Sequence, residues 1–290
     1  MQERLSMRRA PLIALVLLGC TRPQHDASAP TPRPSSSEAP APDPDATREA
    51  GADTPDAARG LPPLADPEGR VHTLALGEGE EAHVAVPLGA TTPRPVVIGV
   101  HGAGDKPEWT CGEWSFTTGG NAFVVCPHGS VDPRWEGTRV WRSGHAIAEA
   151  AARAIAALRT RYGDHVAPGP FIYGAWSQGA TLAGPAIARA SELGVPIEAA
   201  VLVEIGHTPV DARATAASLR DAGVHRLVVS CSSLECRDFA RRMRSIAGGA
   251  EPSLHVVDVG LRGHWFDEPV FRALAAQWPW LAEGDLRWAS

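Results

Sequence analysis

Tyrosine is scarce in this chain, with two residues among 290, and methionine numbers only three. A basic surplus is also missing. Lysine and arginine total 27 against 33 aspartates and glutamates, a net charge of −6. Such a balance leaves nothing to neutralise phosphates and argues against a nucleic-acid binder. No apolar run reaches the roughly 20 residues of a spanning helix. There is no P-loop and no HExxH, and the eleven histidines do not cluster at metal-ligand spacings, so neither a metal nor an organic cofactor is expected. Gly77-Glu-Gly-Glu-Glu-Ala82 matches a dinucleotide fingerprint only in letters. It precedes a strand rather than a helix, and its glutamates would repel phosphates, so it reads as a turn. Residues 21–60 lack Leu, Ile, Val, Met, Phe, Tyr and Trp altogether and carry eight Pro and nine Ala. Such a stretch has nothing to bury against its ordering entropy and is expected to be a disordered tether.

The rest is ordinary globular material, 44% apolar and 21% charged. The first twenty residues read as a targeting segment. Arg4, Arg8 and Arg9 form a basic region, Leu12 to Leu18 a short apolar stretch, and Leu17-Leu18-Gly19-Cys20 resembles a bacterial lipobox. Cys20 would then be the lipidated first residue of the mature chain. The organisation expected is a signal peptide over 1–20, a tether over 21–66 and one domain over 67–290. This implies an exported protein held at a membrane of the cell envelope by its lipid. Four cysteines remain in the domain: Cys111, Cys126, Cys231 and Cys236. An even count in an exported domain suggests disulfides, and nearest-neighbour pairing, Cys111–Cys126 and Cys231–Cys236, is the expected connectivity among three.

Within the domain, strand and helix patterns alternate. Strands are expected at Val71–Leu76, Glu81–Val86, Pro95–Val100, Ala122–Cys126, Phe171–Tyr173, Ala199–Val203, Arg226–Ser230 and Leu254–Val257. Ile147, Ala151, Ile155, Leu158 and Tyr162 fall on one helical stripe. Ser177–Glu192 reads as a helix that Pro185 would kink. Further helices are expected at Asp211–Asp221, Arg237–Ile246 and Glu268–Leu281. This alternation implies an α/β class domain, a mostly parallel sheet with helices on both faces.

Three segments carry chemistry. In Phe171-Ile-Tyr-Gly-Ala-Trp-Ser-Gln-Gly179 a strand ends, Ser177 follows and a helix begins at once. Small Ala175 and Gly179 flank Ser177, as a sharp strand-to-helix turn requires, although glycine is usual at the first of those positions. His101-Gly102-Ala103-Gly104 follows a buried strand and can aim the Ala103 N–H at the place reached by the Gln178 N–H. Two such donors stabilise a tetrahedral oxyanion, each worth on the order of 3 kcal/mol. Gly263-His264-Trp265 follows the last strand, so His264 can take the Ser177 proton and return it to the leaving group.

With these segments in this order, Arg70 to Leu281 resembles the α/β-hydrolase superfamily. The His-Gly strand end, the hairpin-like first strands and Trp141-Arg142 resemble its polyhydroxybutyrate depolymerase and feruloyl-esterase-like branch. The resemblance implies Ser177 as nucleophile, His264 as base, and Ala103 and Gln178 as oxyanion donors. It also implies a carboxylate after the strand at Arg226–Ser230, where the loop reads Ser230-Cys-Ser-Ser-Leu-Glu-Cys-Arg-Asp238 without a Gly-x-x-Asp. Glu235 ranks first as the acid, ahead of Asp238 and of Glu204 at the preceding strand's end; a Ser–His dyad without an acid is also open. Nine tryptophans, among them Trp109, Trp114, Trp135, Trp141, Trp176 and Trp265, read equally as an aromatic substrate wall or as packing. The expected activity is carboxylic-ester hydrolysis of a small-molecule or polymer-derived ester. A serine peptidase or a non-catalytic binding lipoprotein are the alternatives.

Overall fold

The computed structural model describes residues 60–247 and 252–288. The lipobox at Cys20 and nearly all of the expected tether lie outside them. The tether's last residues do not behave as a linker. Leu64 is buried in the core, and the N–H groups of Leu61 and Leu64 donate to Thr91 O and Ala90 O. The folded unit therefore starts upstream of residue 67, with this segment bonded to the connection between the strands at Glu80–Ala85 and Val96–Val100.

In chain order the elements are β1 (Val71–Gly77), β2 (Glu80–Ala85), β3 (Val96–Val100), α1 (Pro107–Thr117), β4 (Phe123–Pro127), β5 (Ser130–Val131), β6 (Arg139–Val140), α2 (Gly144–Tyr162), β7 (Phe171–Trp176), α3 (Gln178–Thr181), α4 (Ala183–Glu192), β8 (Ile197–Val203), α5 (Ala212–Asp221), β9 (Arg226–Cys231), α6 (Leu234–Ala247), β10 (Ser253–Asp258), α7 (Glu268–Ala275) and α8 (Trp278–Leu281). Eight strands form one sheet in the order β1-β2-β4-β3-β7-β8-β9-β10. β1 and β2 are antiparallel to each other, β2 is antiparallel to β4, and every later pairing is parallel.

The apolar runs serve both faces at once, residue by residue. Val96, Ile98 and Val100 point to one core while Val97 points to the other; Phe171, Tyr173 and Ala175 likewise oppose Ile172. The first core is closed by α2, α4, α5 and α6, through residues such as Ile147, Ile187, Leu219 and Phe239. The second is closed by α1, α7 and α8, through Trp114, Leu274 and Trp278.

The expected helix Ser177–Glu192 is broken at Leu182 into α3 and α4. Pro185 lies in the first turn of α4, where a missing N–H costs nothing. The expected helix Glu268–Leu281 divides similarly, with Pro279 in the first turn of α8. α1 was not expected from the sequence, and it carries Trp109 and Trp114. Trp114 is fully buried beneath the sheet. Its indole fits because Gly99 and Gly174, register partners on β3 and β7, have no side chains there: a Cβ on Gly174 would lie 2.9 Å from the ring. Disulfides join Cys111 to Cys126, between α1 and β4, and Cys231 to Cys236, between β9 and α6. Among the described residues no helix is long and apolar enough to cross a membrane.

This packing yields a paired prediction. Gly174→Ala should destabilise the domain by about 1–3 kcal/mol through overpacking. Adding Trp114→Phe should cost less in that background than in the parent, a coupling readable from urea midpoints of the four proteins.

Candidate active site

Two adjacent parallel strands end in the same way. β7 is followed by Ser177 and β8 by Glu204, and both residues have φ near 52°. Each still donates its N–H to the neighbouring strand, Ser177 to Val203 O at 2.9 Å and Glu204 to Ser230 O at 3.0 Å. Left-handed backbone at a non-glycine residue is strained and lifts the side chain off the end of the sheet. At Ser177 the strain is held by tight packing. A Cβ on Gly179 would fall 3.0 Å from His101 O, and Tyr173 donates its hydroxyl to Gly179 O at 2.9 Å.

His264, on the loop after β10, places its Nε2 2.7 Å from Ser177 Oγ. Behind it, Nδ1 stands 3.6 Å from Glu204 Oε2. Glu204 is buried, with its two oxygens committed to different neighbours. Oε1 accepts from Ser232 N–H, and Ser232 Oγ lies 3.0 Å from it. Oε2 faces His264 and also His207, whose Nε2 is 3.3 Å away and touches Ser233 Oγ at 3.1 Å. Burial pulls the Glu204 pKa upward, but His264, Ser233, the Ser232 N–H and His207 outweigh it and hold the carboxyl at about 2. Glu204 is therefore a carboxylate at any pH at which the protein would work.

The structure corrects the ranking of acids. Glu235 lies in the first turn of α6 and is exposed, not in a loop facing His264. The helix begins only two residues after Ser232, so there is no room for a long acid loop after β9. Asp238 lies one turn further along the same helix and pairs with Arg241 and Arg242. The acid brought to His264 is Glu204, from the preceding strand. No metal-like spacing exists in sequence, yet the fold gathers Glu204, His207 and His264 with their ligand atoms within 4.8 Å of one another.

The His101–Gly104 turn packs directly on the elbow. A Cβ on Gly102 would lie 3.2 Å from Ser177 Cβ and 2.5 Å from the Trp176 ring, so glycine alone permits this approach. Ala103 follows immediately. Gln178 begins α3, so its N–H has no acceptor within the helix. Trp141 fixes both segments, a role the sequence did not show. Its Nε1 donates to His101 O at 3.2 Å, its N–H donates to Gln178 Oε1 at 2.8 Å, and its carbonyl accepts from Gln178 Nε2 at 3.1 Å. His101 stacks on the Trp141 ring, donates Nδ1–H to Gly102 O at 2.7 Å and accepts from Gly129 N–H at Nε2. The tryptophans differ in burial. Trp114 and Trp141 are buried, whereas Trp135 lies exposed over Gly104 and Trp265 is exposed beside His264.

No family model and no curated protein sequence matches the chain. Solved structures do. TT1662 from Thermus thermophilus is 15% identical, with a TM-score of 0.50 over 74% of this chain and 99% of its own. A Klebsiella pneumoniae protein named as a candidate dienelactone hydrolase is 14% identical, with a TM-score of 0.51 over 73% of this chain and 98% of its own. An uncharacterised protein from Bacillus cereus is 13% identical, with a TM-score of 0.53 over 67% and 61%. Together with the sheet order, these similarities define the α/β-hydrolase fold.

Burial pushes His101 down to about 4 from the ordinary 6.5, partly offset by the Gly102 carbonyl. Below pH 6.5 the unfolded chain then binds this proton more readily than the folded one. Stability from this group is complete above pH 6.5 and falls as pH drops toward 4, by about 3 kcal/mol in all. Urea titrations across this window should show the parent losing more stability than His101→Asn.

Proposed function

We propose that this chain is an exported serine hydrolase that cleaves carboxylic esters through an acyl-enzyme on Ser177. The observation that carries the reading is the 2.7 Å contact from Ser177 Oγ to His264 Nε2, backed by the buried Glu204 carboxylate. Ser177 Oγ attacks the ester carbonyl as its proton passes to Nε2. The imidazolium so formed is stabilised by Glu204, and it protonates the departing alkoxide. Water then repeats the sequence on the acyl-enzyme. The N–H groups of Ala103 and Gln178 receive the oxyanion at each tetrahedral stage. Exposed Trp135 and Trp265 give an apolar ester group a surface beside this centre. Export is supported by the leader ending at Cys20 and by the two disulfides, which suit an oxidising compartment. Attachment of lipid at Cys20 would hold the domain at a membrane of the cell envelope.

Hydrolysis of p-nitrophenyl acetate and butyrate tests the reading. Ser177→Ala and His264→Ala should each lower kcat by about 1,000-fold or more, and Glu204→Gln by about 100-fold or more. Glu235→Gln should match the parent. A fluorophosphonate probe should label the parent and not Ser177→Ala. No hydrolysis and no labelling of the parent would leave a non-catalytic binding protein. In a bacterial host, labelled palmitate should enter the full chain and be lost in Cys20→Ala.

A further inference from the structure

We infer that Glu204, His207 and His264 form a binding site for a transition-metal dication, Zn2+ first among them, whose occupancy switches the hydrolase off. The inhibitory part rests on the reading of His264 as the base; the binding part does not. His207 arrives by its own route. Gly206, with φ of 105°, turns the chain two residues after Glu204, and a Cβ there would meet Glu235 O at 3.0 Å. The turn is thus pressed against α6 and swings His207 back over the acid. Its ring stands edge-on to His264, with centroids 3.8 Å apart.

The donors match a zinc centre in type, both separations to the carboxylate match in spacing, and all three ligand atoms lie within 4.8 Å of one another. Two imidazoles and one carboxylate, with a fourth position left to water, are an ordinary zinc set, with metal–ligand distances of about 2.0–2.2 Å. In a tetrahedron those distances separate the donors by about 3.4 Å. Here Oε2 lies 3.3 Å from His207 Nε2 and 3.6 Å from His264 Nδ1. The carboxylate is already oriented, since Ser232 occupies Oε1 and leaves Oε2 to the histidines. His264 Nδ1 is buried and makes no hydrogen bond within normal limits, so its lone pair or proton is unspent. His207 and His264 are 32% and 31% exposed, which gives an ion an entry from solvent. The ion would take the place of the Ser233 hydroxyl at His207 Nε2. Hard cations that prefer all-oxygen shells, such as Mg2+, do not suit this set.

Occupancy reaches the chemistry through the ring of His264. A neutral imidazole carries one proton. When Nδ1 gives its lone pair to the metal, that proton resides on Nε2, the atom that must accept the proton of Ser177. The ring then donates to Ser177 Oγ and cannot act as its base, and Glu204 is drawn to the ion. No bond to substrate is involved, and removing the metal restores the tautomer.

The experiment has a binding arm and a rate arm. Calorimetry with ZnCl2 on Ser177→Ala, and the visible bands of Co2+ in the same protein, read the site without any turnover. One ion per chain is expected, with affinity lowered at least about tenfold in His207→Asn and in the milder His207→Gln. For the rate arm, p-nitrophenyl butyrate hydrolysis is titrated with ZnCl2, and each protein is referred to its own rate in EDTA. The parent should lose at least about tenfold of its rate, EDTA should return it, and Mg2+ should do nothing. Both His207 variants should need about tenfold more Zn2+ for half-inhibition. Binding in Ser177→Ala without hydrolysis by the parent would sink the esterase reading and keep the site. Hydrolysis with no binding, or with inhibition indifferent to His207, would overturn the site. A parent inactive in EDTA and revived by Zn2+ would overturn the inhibitory role.

Discussion

Parallel pairing of β7 with β8 is the constraint on which the remaining geometry hangs. Because the strands run the same way and stop one residue short of Ser177 and Glu204, both residues lie at the carboxyl end of the sheet. The distance between Ser177 and Glu204 is therefore set by strand spacing and not by loops. Only the histidine must be delivered from elsewhere, and its loop is tied to the same place. Arg262 and Gly263 donate their N–H groups to Ser232 O, while Ser232 itself binds Glu204. One serine thus holds the acid with its N–H and the histidine's loop with its carbonyl.

Burial supports this arrangement from two sides. On one face the glycine pair at 99 and 174 admits Trp114, which also packs against Phe266, two residues beyond His264. On the other, the His101 turn is pinned through Trp141 to Gln178. Neither tryptophan touches the reacting atoms. They supply the rigidity that lets strained residues persist at φ near 52°.

Much of the sheet was legible because buried parallel strands write themselves as apolar runs, and Ser177 and His101–Gly104 both follow such runs. The acid was harder to read. Glu204 directly follows the apolar run Ala199–Val203 and precedes Gly206, much as Ser177 follows β7 and precedes Gly179. That parallel was the available signal, but its meaning depends on β8 lying beside β7, which is a tertiary fact. A helix starting at Arg237 would leave Glu235 in a loop, but α6 starts at Leu234 and takes it into the first turn. α1 escaped notice because its buried face mixes Thr110, Cys111, Trp114 and Ser115, a pattern without a clean apolar stripe. His207 offered no cue at all, since its partner His264 lies four elements further along the chain, beyond α5, β9, α6 and β10.

The Cys231–Cys236 bridge closes a loop that contains Ser232 and Ser233, the serines that hold Glu204 and His207. A loop of five residues removes little chain entropy, roughly 2 kcal/mol. Its weight lies in local order. It fixes the start of α6 against the end of β9, so the two hydroxyls and the Ser232 N–H keep their bearing on the acid. Reduction would release that short segment while the two cores stayed packed. Oxidation state thereby has a path to Glu204 and His207 that bypasses the melting of the fold.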